Sequence, residues 1–434
     1  MPIPSLPLEI VSLVVEDAMA DYNPEDRMVR VHSALSIATV CKAWRPIGLG
    51  KAWHDLSLHL DDEHDLRFKK LWQSSVFEQV APYIRALKLR GGLQAKLLAV
   101  ARRIVEAATS LDEVALDGQD VFSAFFLTAL REPSGLVDRL RVVSWSACSN
   151  EAVSLNSLLV VTSRLPSLEV LTIDIIADPI VFDPTTLPVV DDSTTLPRLK
   201  SLTICLTPFC PMPPLDVDAP FPDPPHLPLQ AMSDFLDHFP SHCDVSRLTF
   251  FSTRGIPAVP VVERLVRFKL SELRHLDLDS VSPFRPPPSV AQAAPSSKGS
   301  FAVQLATLLP TLPRLLSLRV NCSVPTLRPM FKSSDVATVL KALPAATQTV
   351  SLACELDVNK GDVLRKFFDS RLDSPLEAVG FYREQQESEQ RPGEGRLRWM
   401  IYHKRVWEDK VDFYDLEELL RLNTLQLQEL EDML

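Results

Sequence analysis

Leu165-Pro166-Ser167-Leu168-Glu169-Val170-Leu171-Thr172-Ile173 is answered 31 residues further on by Leu196-Pro197-Arg198-Leu199-Lys200-Ser201-Leu202-Thr203-Ile204. Both stretches place an apolar residue first, another three positions later and a third two positions after that. In an extended chain, side chains two apart lie on one side, so the last two members of each triplet mark one face of a strand. The triplet occurs upstream as Ile84-Leu87-Leu89, Leu111-Val114-Leu116 and Leu140-Val143-Trp145. Downstream it reads Val245-Leu248-Phe250, Leu273-Leu276-Leu278, Leu315-Leu318-Val320, Thr347-Val350-Leu352 and Leu376-Val379-Phe381.

First members of successive triplets are 27, 29, 28, 31, 46, 28, 42, 32 and 29 residues apart. The two long steps contain the most Pro-rich stretches, near 207–228 and 282–300, which read as insertions into a regular period. Helical patterns fill the space between triplets. Leu97, Leu98, Ala101, Ile104, Val105 and Ala108 share one helical face. Asn150 is placed to cap a helix over 151–164, and Ser333 or Ser334 one over 335–342. A strand and a helix in each period predict an α/β chain, a curved solenoid with parallel strands concave and helices convex. An ordinary α/β domain is the alternative.

The pattern resembles the leucine-rich-repeat family over about residues 81–403, most closely in the two stretches quoted first. That family also places Asn or Cys eight residues after the first apolar position, where the side chain bonds the backbone at a turn. Here the position holds Cys148, Thr207, Thr253 and Ser323 in four copies, and Ile176 or Glu384 in others. The polar ladder is thus degraded.

Residues 1–56 do not follow the repeat. Pro7 suits a first helical turn, and Leu8, Val11, Leu13, Val14 and Val15 make the segment apolar over much of its circumference. Asp21-Tyr22-Asn23-Pro24 breaks it. A second helical stretch holds Val31, Leu35, Ile37 and Ala38. A third holds Val40, Cys41, Trp44 and Ile47, with Pro46 and Gly48 limiting its length. Trp53 then precedes Leu56-Ser57-Leu58, a short strand.

Leu6-Pro7-Leu8-Glu9-Ile10 and Val40-Cys41-Lys42-Ala43-Trp44-Arg45 resemble the opening and closing signatures of the F-box family. The connection over 19–30 is longer than that family's usual pattern. The resemblance implies a three-helix F-box-like module that docks a Skp-type adaptor of a cullin-type SCF ubiquitin ligase. Leu6, Pro7, Leu8, Ile10, Val40 and Cys41 would meet the adaptor, and Trp44 would belong to the module core. The repeats would hold a client protein of unknown identity. The alternative is a leucine-rich-repeat scaffold outside ubiquitin chemistry whose N-terminal helices only cap the solenoid.

The expected organisation is a module over 1–56, a connector over 57–80 and an irregular repeat array over 81–405. A Leu-rich, acidic C-terminal helix over 406–434 follows as a cap, with a docking or dimerising helix as the alternative. Residues 383–396 read as an exposed loop ahead of the last strand, Arg398-Trp399-Met400-Ile401-Tyr402.

The totals agree with such a chain. The 434 residues suit two compact domains or one elongated array, and a 46% hydrophobic content supplies a substantial core. Only 12 Gly against 36 Pro argues against Gly-rich phosphate loops and for stiff turns. A net charge of −11 opposes duplex binding, which needs clustered cations. The most basic stretch, Arg85, Lys88, Arg90, Lys96, Arg102 and Arg103, reads as a solvated face, with a docking patch as the alternative. Seven Cys without a C-x-x-C pair indicate a reducing compartment, cytoplasmic and/or nuclear. Glu9, Glu16 and Asp17 interrupt the first apolar run, so no signal peptide is expected, and no apolar run is long enough for a membrane span.

No catalytic, phosphate-binding or metalloprotease motif is present. His54, His59 and His64 are spaced by five and read as surface residues rather than a metal site. Cys205, Cys210, His242 and Cys243 are too loosely spaced for the usual zinc ligand pairs. The expectation is therefore a non-enzyme without cofactor, metal, nucleic-acid or membrane partner. Client-contacting candidates are the residues between the strand apolar positions: Glu169, Thr172, Lys200, Thr203, Arg274, Asp277, Ser317 and Arg319.

Overall fold

The computed structural model describes residues 36, 37, 39, 42, 44–59, 75–91, 94–130, 135–149, 153–177, 180–187, 196–207, 229–254, 258–279, 301–321, 333–352, 378–384, 397–403 and 412–415. Leu6, Pro7, Leu8, Ile10, Val40, Cys41, the 19–30 connection, residues 208–228 and 280–300 of the Pro-rich insertions and the Leu-rich stretch over 416–434 lie outside them. The chain divides into two compact units, Met1–Cys148 with Val161–Leu171, and Ser149–Val160 with Thr172–Leu434.

The first unit contains, in order, α1 (Arg45–Trp53), β1 (Asp55–His59), α2 (Ser75–Val80), β2 (Ala86–Arg90), α3 (Gln94–Ala107), β3 (Glu113–Asp117), α4 (Gln119–Ala129), α5 (Leu136–Arg139) and β4 (Val142–Ser149). Strands β1, β2, β3 and β4 pair in sequence order, all parallel. Their register aligns the triplets: Leu56, Leu87, Val114 and Val143 form one row, and Leu58, Leu89, Leu116 and Trp145 the next. The parallel pairing thus begins with β1, ahead of residue 81.

The second unit continues with β5 (Val153–Ser154), α6 (Asn156–Thr162), β6 (Val170–Ala177), β7 (Ile180–Val181), β8 (Ser201–Thr207) and α7 (Leu229–His238). Then come β9 (Phe250–Arg254), α8 (Ala258–Leu265), β10 (His275–Asp279), α9 (Phe301–Leu308), β11 (Ser317–Asn321) and α10 (Ser333–Ala342). It closes with β12 (Thr349–Leu352), β13 (Ala378–Glu384), β14 (Leu397–His403) and β15 (Asp412–Asp415). β8 through β13 pair in sequence order and in parallel. The expected α/β class with a largely parallel sheet is therefore observed.

One backbone device recurs along the ladder in both units. The carbonyl between the first and second apolar positions accepts two successive N–H groups from the next period. His54 accepts from Arg85 and Ala86 at 3.0 and 2.9 Å, and Arg85 from Asp112 and Glu113 at 3.0 Å each. In the second unit Thr249 accepts from Arg274 and His275 at 2.8 and 3.0 Å, and Arg274 from Leu316 and Ser317 at 2.8 and 2.9 Å. Each period is thereby anchored before its strand begins, with its backbone polar groups satisfied.

The core follows the triplets. In β2 the order of half-exposed Ala86, buried Leu87, exposed Lys88 and buried Leu89 is the strand alternation expected from the sequence. The three apolar positions preceding and within β2, β3, β4, β8, β10, β11 and β12 are no more than 2% exposed. Ala101, Ile104, Val105 and Ala108 of the α3 segment are buried, as their spacing predicts. Phe122, Phe125 and Phe126 of α4 build an aromatic layer under β4, with the Phe122 ring stacked on Trp145 at 4.6 Å. Short 3-10 turns with Pro in their first turn, Ala81–Tyr83, Phe239–Ser241 and Leu309–Thr311, lead from helix to strand. Proline's fixed φ suits that entry, which accounts for part of the high Pro content. Gly91 and Gly118 occupy equivalent places just past β2 and β3, with φ of 62° and 115° that side chains disfavour.

Several expectations require correction. In β9 the triplet is Leu248-Phe251-Thr253, not Val245-Leu248-Phe250, because Phe251 pairs with Leu202 and Leu276, and Thr253 with Ile204 and Leu278. Thr253 consequently lies in the core, not on the polar ladder, and Phe250 on the outward side. Residues 151–164 do not form one helix: Val153 and Ser154 pair in parallel with Ile180 and Val181, and the helix starts at Asn156. α1 runs through Pro46 and Gly48, since Pro46 sits in its first turn, where no intrahelical N–H is needed, and Gly48 is buried. Arg383 and Glu384 belong to β13 rather than to a loop. Arg398 to Tyr402 lie in β14, which is not the last strand, because β15 follows inside the stretch expected to be helical. β14 runs antiparallel to both β13 and β15, so the parallel order of the preceding strands ends at β13.

Candidate functional site

The strand rows that face away from the core carry the polar and charged side chains of the ladder. The two units differ in what they place there.

In the first unit the charges are arranged in pairs across successive periods. Arg85 bonds Asp112 at 2.5 Å, Arg90 contacts Asp117 at 3.1 Å, and Arg141 bonds Glu169 at 2.8 Å. The Glu169 hydrogen bond holds the Arg141 guanidinium above its ordinary pKa. Glu113, level with Ala86 and Val142, has its carboxyl pushed up by burial and then by the negative charges of Asp55 and Asp112, with His54 opposing. Within the basic stretch, Arg102 bonds Glu106 at 2.9 Å, and Arg103 lies 3.9 Å from Glu78 with its guanidinium over the Phe77 ring.

In the second unit the outward rows run Ser201, Phe250, His275, Ser317 and Thr349, and then Thr203, Ser252, Asp277, Arg319 and Ser351. The Phe250 and His275 rings lie 6.2 Å apart at 42°. Arg319 lies 3.9 Å from Asp277. Exposed Lys200 and Arg274 stand one residue before the first row, and exposed Arg254 at the end of β9. Of the candidates named from sequence, Lys200, Thr203, Arg274, Asp277, Ser317 and Arg319 share this face. Glu169 is engaged by Arg141 in the first unit, and Thr172 lies in β6. The sequence reading missed Phe250, Arg254 and His275. The frame Leu248-Phe251-Thr253, which places a Thr in a core row as Thr347-Val350-Leu352 does, would have revealed them.

A second polar construction was also missed. The Asn156 side-chain amide donates to the Asp183 carbonyl and the Thr186 hydroxyl, while its oxygen accepts the Asp183 N–H at 2.9 Å. The Asp183 carboxylate accepts from the hydroxyl and N–H of Thr185, which hold it below the ordinary aspartate pKa. Asn156 therefore ties neighbouring periods together away from the main strands.

The described N-terminal residues form one small apolar cluster. Ile37, Trp44, Ile47 and Trp53 pack against buried Ala52. His54 bonds Asp55, and the buried His242 ring is bonded through Nδ1 to the His238 carbonyl at 3.1 Å. Cys148 is exposed, Cys205 half-buried and Cys243 buried, all as free thiols. Among the described residues no group of three or more His, Cys, Asp or Glu is placed to hold a metal ion, and no helix is long and apolar enough to cross a membrane. The chain matches no family model and no curated protein.

Proposed function

We propose that the protein is the substrate-recognition subunit of a cullin-type SCF ubiquitin ligase, an F-box receptor with a leucine-rich-repeat-like solenoid. Parallel strands line its concave side and helices its convex side. The N-terminal module docks a Skp-type adaptor through Leu6, Pro7, Leu8, Ile10, Val40 and Cys41, and the repeats hold a client protein. The observation that carries this reading is the pair of signatures, Leu6 to Ile10 and Val40 to Arg45, placed ahead of a repeat whose apolar rows align strand by strand. The receptor performs no bond chemistry of its own. It raises the client's effective concentration at a transfer site supplied by other subunits. A small helical module leaves apolar side chains that its own core cannot cover, and a partner helix covers them.

Co-purification with a Skp-type adaptor tests the proposal. Wild-type protein should retain the adaptor and the Leu6→Asp/Pro7→Ala variant should lose it. Equal recovery by both would overturn the docking assignment.

A second reading, a scaffold whose N-terminal helices serve only as a cap, is favoured by one observation. α1 passes directly into β1, the first strand of the first unit's ladder, and Gly50 lies against Tyr83. That scaffold would bind no adaptor even when intact.

A further inference from the structure

We draw no further inference here: the strongest candidate, the surface patch around Phe250 and His275 on the outward side of β9 and β10 in the second unit, carries nothing because nothing in the structure shows what covers it.

Discussion

Thr253 and Thr347 occupy core positions that hold aliphatic or aromatic residues in most other periods, and neither hydroxyl has a protein hydrogen-bond partner. A buried hydroxyl left without a partner costs about 1–3 kcal/mol. Thr253→Val keeps the branched shape and removes that cost, so it should raise the stability of the second unit by about 1 kcal/mol, read as a higher urea midpoint. Glu113 offers a pH-dependent counterpart. Its folded pKa is raised, so the ionised carboxylate opposes folding at neutral pH, and that opposition fades as pH falls through the folded value. Glu113→Gln should therefore stabilise the first unit at pH 7. The gain should vanish once the pH is below the ordinary glutamate range; a gain that grew toward acid would contradict the assignment. Thr253 also shows why part of the site was hidden in the sequence. A polar residue in a core row looks like a surface residue until its neighbours across the ladder are known.

At the scale of elements, the main strands are held by rows of apolar side chains, whereas the β5–β7 pair is only two residues long on each side. Its integrity rests on Asn156, which reaches the Asp183 backbone and Thr186. Asn156→Ala should cost about 1 kcal/mol and speed hydrogen exchange at the N–H groups of Leu155 and Asp183 more than elsewhere. Asp183 adds a pH signature: its lowered pKa stabilises the turn above the unfolded aspartate value, and that contribution is lost as pH falls through the folded value. Strands β2, β3, β4, β8, β10, β11 and β12 were legible because each carries two buried aliphatic or aromatic positions two residues apart. The short helix after β5 was not. Residues 153–164 are apolar at both strand and helix spacing, and pairing with residues 180–181 decides between them.

For the whole molecule, β1 gives the parallel ladder of the first unit its starting strand. Removing residues 1–59 should expose the β2 backbone edge together with Leu87 and Leu89, which now lie opposite Leu56 and Leu58. The truncated protein should unfold at lower urea and associate on size exclusion, while an unchanged midpoint would show that β1 is dispensable. The sequence by itself determined the period, the apolar rows and the α/β class, because core burial demands the same side-chain spacing in every copy. It also supplied the F-box-like signatures on which the proposed function rests. Only the tertiary structure decided the frame of β9, the splitting of residues 151–164 and the antiparallel return through β14 and β15. Each of those choices lies between local patterns of nearly equal merit, and hydrogen bonds to a strand distant in sequence separate them. The outward position of Phe250 follows from the first of these choices.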